Sequence, residues 1–320
     1  MHVPVLLSET LEALDPRPGR SYVDGTLGGG GHAEALLRAC GPDGRLLGLD
    51  RDEDAITRCR ERLAPFGGRF EAVHSDFARL GEVARERGFA PADGVLLDLG
   101  VSSFQLDEPE RGFSFRADGP LDMRMDRSRG RTAAELLDSF GGDWRALAQI
   151  LRDFGEEPAA ARIARAILDE HAKSRIDSTA RLAAVVEKAA GGRRGAARHP
   201  ATRTFQALRI AVNGELEQVE AALEAALGIL AEDGRLAVIT FHSLEDRIVK
   251  RAFAAHEGRD VALQQGGSRW EGRLPAVRRL SRRPAVPSPA ECAANPRARS
   301  AKLRAVRRLP AANGECRMSD

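Results

Sequence analysis

The sequence predicts an α/β protein, a doubly wound and mostly parallel sheet whose chain is interrupted by an inserted all-helical domain. Short apolar runs alternate with helical segments over the first hundred residues, a helical-period stretch follows, and a last apolar run then resumes the sheet pattern.

The strands are expected at Ser21–Asp24, Arg45–Asp50, Arg69–His74 and Gly94–Asp98, each ending on a polar residue, and later at Arg235–Phe241. Between them, His32–Cys40 and Asp54–Leu63 are too long for hairpin turns and suit crossover helices joining parallel strands. From Asp107 to Arg131 the chain is rich in Gly, Pro and charge and keeps neither period, so it reads as a long ordered loop, a kind more often functional than idle.

Thr132–Ala190 is helical in pattern, most clearly at Leu147, Ile150, Leu151 and Phe154, then Ile163 and Ile167, then Leu182, Val185 and Val186. Leu216, Val219, Leu223, Leu227 and Leu230 define an amphipathic helix that stops before Asp233-Gly234, and a further helix is expected over Leu244–Ala255. The domain plan is therefore 1–106 with 209–320 as a split sheet domain and 107–208 as the insertion. Val261–Pro289 gives no readable pattern.

The chain has 320 residues, 42% hydrophobic and 30% charged, enough apolar matter for a packed core and too much for a disordered chain. The N-terminus lacks the basic region, apolar core and cleavage site of an export signal, and no apolar run nears the roughly 18 residues that span a bilayer, so a cytosolic protein is expected. Cys40, Cys59, Cys292 and Cys316 form no CxxC pair and have no zinc-like His spacing; reduced thiols and no metal are expected.

Net charge is only +2, yet Arg269 to Leu309 holds twelve Lys or Arg against two Glu, and Lys188 to Asn213 holds six with no acid. Such local excess is the footprint of a phosphate-rich partner, or else a merely solvated basic surface.

Asp24-Gly25-Thr26-Leu27-Gly28-Gly29-Gly30-Gly31-His32 sets a glycine cluster between the first strand and a helix, where backbone N–H groups approach a ligand at the helix start. Gly28 to Ala33 also fits the dinucleotide fingerprint, and Asp50 ends the second strand about 20 residues on, where a carboxylate grips ribose hydroxyls. Two cofactor classes stay open on that pattern. Asp24 tilts the balance, because a carboxylate there suits the ammonium and sulfonium of S-adenosylmethionine and would repel the pyrophosphate of NAD. Ser75-Asp76-Phe77 after the third strand and Asp98 ending the fourth support the same crevice, with Phe77 as a cover for adenine or simply a core residue.

With these residues in view, the sequence resembles the bacterial 16S rRNA (cytosine-N4)-methyltransferases. The matching stretches are His2 to Leu7, Asp24 to His32, Leu97 to Ser103, Arg111 to Phe115, Asp118 to Asp126, His199 to Ala207, Phe241 to Arg247 and Asn295 to Ser300. The resemblance implies a Rossmann-like class I methyltransferase with S-adenosylmethionine held by Gly30, Gly31, His32, Asp50, Phe77, Asp98 and Gln105, beside Asp24. Phe104 departs from the pattern, which has a proline before the matching Gln. The implied partner is 16S rRNA within the small ribosomal subunit, with no membrane and no metal.

Cytosine N4 is a poor nucleophile, and backbone carbonyls of Leu99–Ser103 are the first candidates to accept its N–H bonds, with Ser102 and Ser103 beside them. His242 could hold the base or take a proton; alternatively Ser243 caps the next helix with Asp246 completing the box. Asp122, Arg124 and Arg203 are candidates for substrate binding, with Asp118 and Asp126 as further wall residues or structural ion pairs. Phe104, Phe113 and Phe115 could stack on an unstacked base. The competing readings are an NAD-dependent oxidoreductase and a ribosome-binding protein that has lost catalysis.

Overall fold

The computed structural model describes residues 4–192, 199–262 and 268–310. Nine strands occur among them: β1 Ser21–Asp24, β2 Arg45–Asp50, β3 Phe70–His74, β4 Ala92–Asp98, β5 Leu230–Thr240, β6 Arg259–Ala262, β7 Ser268–Glu271, β8 Val277–Arg279 and β9 Lys302–Arg308. Seven form one sheet in the order β3-β2-β1-β4-β5-β9-β8, while β6 and β7 make a separate antiparallel pair. β1 to β5 pair in parallel, and β9 joins β5 and β8 antiparallel. Strand order reverses between β1 and β4, and ligands bind at that switch point, beyond the carboxyl ends of the strands.

Apolar residues cover both faces of this sheet, which is why its strands read as continuous apolar runs. Along β4, Val95 and Leu97 enter one core with Val23, Leu236 and Val238, while Leu96 faces the other with Tyr22, Leu46 and Ile239. The helices Gly31–Ala39 and Glu53–Leu63 supply Leu36, Leu37, Ile56 and Leu63 to the second core; the helix Glu215–Ile229 gives Val219, Leu223 and Leu227 to the first.

Two expected boundaries move. The amphipathic helix ends at Ile229, and Leu230 already pairs with Ala92 of β4; regular pairing starts with Arg235 opposite Gly94, beyond a turn at Asp233 with φ 61°.

The chain divides into two compact units, Met1–Gly100 with Leu216–Asp320, and Val101–Glu215. Those limits differ from the expected 106/107 and 208/209 for a packing reason. Ser102 starts a short helix, Ser103–Asp107, and Val101 and Leu106 pack on the helical unit's core. The helix Ala201–Asn213 runs unbroken through the expected second boundary, burying Leu208 and packing Val212 in that same core.

The helical unit is built from Ala133–Ser139, Trp144–Gly155, Ala160–Lys173, Thr179–Ala190 and Ala201–Asn213. Gly155 is required where the second meets the last, because a Cβ there would lie 2.7 Å from the Arg203 carbonyl oxygen.

The irregular stretch before these helices is ordered from inside. Arg111 is 1% exposed and donates through Nη2 to the carbonyls of Arg124 (3.2 Å) and Met125 (2.9 Å), while Leu121, Met123 and Met125 enter the core. Thr132 closes it with a capping box: its hydroxyl accepts from Glu135 N at 3.1 Å, and Glu135 Oε2 accepts from Thr132 N at 2.8 Å. Thr132→Ala is expected to lower the stability of this unit by about 1 kcal/mol, read as a lower urea midpoint at unchanged slope.

No helix among the described residues is long and apolar enough to cross a membrane. Of the two basic runs, Arg193, Arg194 and Arg198 lie outside the described residues, as do His2 and Val3 of the first matching stretch.

Candidate active site

The carboxyl ends of β1, β2 and β4 each carry an aspartate. Asp24, ending β1, is 1% exposed; its Oδ1 accepts from Thr26 N at 3.0 Å and from the Thr26 hydroxyl at 3.4 Å. Burial raises its pKa to about 7, with the neighbouring Asp50 charge adding to the rise.

Asp50, ending β2, braces the glycine loop as well as facing the crevice. Its Oδ2 accepts from Gly28 N at 2.8 Å and its Oδ1 from Asp52 N at 2.9 Å, while burial still lifts its pKa to about 6. Gly30 has φ 74°, a left-handed conformation that favours glycine, and opens the helix Gly31–Ala39. Gly31 is fixed by space: a Cβ there would stand 2.4 Å from Pro4 Cγ.

Asp98 ends β4, and its N–H donates to the Thr26 hydroxyl at 2.6 Å. Its Oδ1 is buried without a hydrogen-bond partner, and Oδ2 lies 3.6 Å from Nε2 of the buried His32. Burial, then the charges of Asp24 and Glu245, push its pKa well above the usual carboxylate range. The side chain nonetheless stays a quarter exposed, so a ligand reaches it.

Thr26 links β1 to β4 by bonding both aspartates, a role that sequence reading missed. The signal was present in Asp24-Gly25-Thr26, since an Asp commonly accepts from the backbone two residues on.

Phe77 opens a short turn after β3 and packs partly buried on the sheet's core, beside Gly25. The preceding Asp76 is clamped by Arg51, whose Nε and Nη2 approach Oδ1 at 3.2 and 3.1 Å.

Beyond β5 the expected Ser243 cap is off by one residue. His242 is the N-cap of the helix Ser243–Glu257: its Nδ1 accepts from Glu245 N at 3.4 Å, and the Glu245 carboxylate accepts from Phe241 N at 2.7 Å and His242 N at 3.2 Å. Its Nε2 lies 3.1 Å from Glu245 Oε1 and has no hydrogen-bond partner among the described residues. Asp246 instead ties to β9 through Arg304 (2.6 Å) and Lys302 (3.2 Å).

The remaining sequence candidates belong to the helical unit. Ser102 and Gln105 form a reciprocal capping box, Gln105 N to Ser102 Oγ at 3.2 Å and Ser102 N to Gln105 Oε1 at 3.0 Å, with Ser103 as the first helical residue. The Ser102 hydroxyl is thereby committed to a cap, and Gln105 is buried.

Asp122 and Arg124 are a two-pronged ion pair at 2.7 and 3.0 Å, Asp126 binds Ser128 and Arg129, and Asp118 accepts from Ala180 N. These acids hold the loop together. Arg203 is exposed and forms no ion pair among the described residues.

The stacking candidates are corrected in part. Phe113 is a core residue, and Phe115 is spent on His199 and Phe205, with centroids at 4.6 and 4.8 Å.

The sequence matches the model of the MraW methylase family over residues 1–309. The chain belongs to that family. A ribosomal RNA small subunit methyltransferase H of Symbiobacterium thermophilum is 50% identical over 312 residues, covering 97% of each chain. The like-named protein of Nitratidesulfovibrio vulgaris is 51% identical over 316 residues, 97% of this chain and 86% of its own. That of Geobacter sulfurreducens is 50% identical over 311 residues, 96% and 99%.

The MraW-family chain is therefore a class I methyltransferase using S-adenosylmethionine, and the oxidoreductase reading, favoured only by the glycine spacing, is set aside. Its residues fit the donor. Three carboxylates with raised pKa values, Asp24 buried and Asp50 and Asp98 partly so, with one oxygen of Asp98 lacking a partner, form a site short of positive charge, which a sulfonium and an ammonium supply.

Proposed function

We propose that this enzyme transfers a methyl group from S-adenosylmethionine to the exocyclic N4 of a specific cytosine in the decoding region of 16S rRNA, within the small ribosomal subunit. One observation carries the donor half of this reading: Asp24, Asp50 and Asp98 end three adjacent parallel strands at the switch point of the sheet, around a left-handed Gly30 that opens a helix. The substrate half is supported by the names of relatives about half identical over nearly the whole chain, and by the stretches around Asp98, Asp122 and His242.

When bound, S-adenosylmethionine supplies an electrophilic methyl group on a sulfonium. Asp24 and the backbone from Gly30 to His32 would hold its charged amino-acid end, Asp50 the ribose hydroxyls, Phe77 the adenine face, and Asp98 the remainder. Thr26 keeps Asp24 and Asp98 in fixed register, so little rearrangement is needed on binding.

On the acceptor side, carbonyls of Leu99–Ser103 take the amino hydrogens of the cytosine and return its lone pair to nitrogen. The methylated amino group is strongly acidic until it sheds its proton, so no strong base is required. His242 accordingly fixes the turn after β5, its acceptor nitrogen already being used by the helix cap. Arg203 offers an exposed guanidinium for a phosphate.

The test is methylation of small subunits lacking the mark, using purified protein and isotopically labelled donor, followed by nucleoside mass spectrometry. Labelled N4-methylcytidine at a single decoding-region position is the expected product. Label at another ring position or on another base would overturn the N4 assignment and leave the donor site standing.

A further inference from the structure

The edge of the sheet at β8 and β9 carries a cation surplus that the donor site does not use. On β9, Leu303 and Ala305 enter one core, while Lys302 and Arg304 face the helix Ser243–Glu257, Arg304 only 13% exposed; on the edge strand β8, Val277 is buried and Arg279 shares its side, with the exposed Arg278 on the other. Lys250 of the helix Ser243–Glu257 meets this edge, lining one shallow hollow with Phe253, Arg279, Ser281 and Arg304.

Three acids reach this edge, and all are already taken, Asp233 by Arg307 of β9 at 3.4 Å. Asp246 pairs with Lys302 and Arg304, and Glu257 pairs with Arg279 at 2.9 Å. Lys250, Arg251, Arg278, Arg282 and Arg283 are all exposed and have no ion pair among the described residues. Gathering so many like charges costs free energy in the isolated protein, and a polyanion recovers it with release of counterions.

We propose that this edge of the sheet docks the ribose-phosphate backbone of the RNA substrate, apart from the base that reacts. The proposal rests on reading that substrate as RNA. A membrane surface fits less well, because interfacial binding needs an exposed apolar helix face. The helix behind these cations buries Leu244, Val249 and Phe253 in the core instead.

The experiment uses the full chain carrying K250Q, R278Q, R282Q and R283Q together. Steady-state methylation of small-subunit RNA is followed at several salt concentrations, with donor affinity measured by calorimetry. Expected is a KM for RNA raised about tenfold at physiological salt, with kcat and donor affinity unchanged. The slope of log affinity against log salt should flatten by about 0.7 to 0.9 for each phosphate that the variant no longer neutralises. If the quadruple variant does not fold, R278Q and R282Q, both at exposed positions, are read singly in the same way.

An unchanged RNA KM and salt slope would overturn the proposal. So would lost binding to phosphatidylserine vesicles with RNA affinity intact, which would assign the face to a membrane. If wild-type protein binds RNA through this face but transfers no methyl group, the functional reading fails and the docking surface stands.

Discussion

Asp98→Asn is expected to weaken S-adenosylmethionine binding about 10- to 100-fold, the worth of one charge-assisted hydrogen bond, while making the ligand-free protein more stable near pH 8. The substitution keeps the shape of the side chain and removes its charge. In the ligand-free protein that charge is a liability: Oδ1 has no partner, and Asp24 and Glu245 lie close enough to oppose ionisation. Neutralising it relieves the repulsion, so Tm rises; the same change removes the anion that a sulfonium donor needs, so affinity and transfer fall. The neutral thioether product, lacking the sulfonium charge, should lose less affinity than the donor. Calorimetry and thermal melts of the two proteins decide it. Unchanged donor affinity, or a lower Tm at pH 8, would show that the Asp98 charge is satisfied without a ligand.

The second expectation is a pH dependence set by Asp24 and Asp50. Both have folded-state pKa values, about 7 and about 6, above the ordinary aspartate value of 3.8. Below about pH 4 both folded and unfolded chains hold these protons, and the burial of neutral carboxyls is fully favourable. As pH rises, the unfolded chain releases its protons first and gains on the folded state until pH passes the folded values. The ligand-free protein is therefore expected to lose thermal stability between about pH 4 and 7 and to change little from these two groups above that. Asp138, Asp126 and Asp246 have lowered values, so their opposite contribution is lost only at more acid pH.

A cationic donor favours the ionised aspartates and reverses that trend. Donor affinity should drop by about tenfold per pH unit below 7 for the single proton on Asp24, steepening below 6 as Asp50 titrates. The rise in Tm on adding donor should accordingly be larger at about pH 8 than at about pH 5.5. Asp24→Asn should flatten the upper part of the profile. Donor affinity that does not change across that range would sink this account.

Much of the sheet domain was legible because each strand of a doubly covered sheet is an apolar run ended by a polar residue. β1 and β2 fall on the expected residues, and the aspartates that end β1, β2 and β4 were readable as a group. The helical unit was legible from its period, for Leu147, Leu151, Ile163, Ile167 and Leu182 are all core residues.

Other features were not, because they depend on partners distant in the chain. Nothing local distinguishes Asp122 and Arg124 as substrate ligands from the ion pair they form. Phe115 could be read as a stacking platform until the fold placed His199 and Phe205 against it. The S-x-x-D pattern at Ser243 concealed a capping box one residue earlier, since histidine is an uncommon cap and Asp246 is claimed by Lys302 and Arg304 from β9.

By itself, then, the sequence determined the alternation of strands and helices, the glycine loop and the acids that flank it, because these follow from local periodicity and from the backbone freedom of glycine. Only the tertiary structure decided how those acids are charged. Asp24, Asp50 and Asp98 are separated by many residues in the chain, and parallel pairing of β1, β2 and β4 brings them to one edge. There burial and mutual repulsion raise their pKa values, and Thr26 and Gly28 satisfy only part of their bonding capacity. Desolvation and Coulomb energy depend on distance through space, which no local pattern of residues encodes.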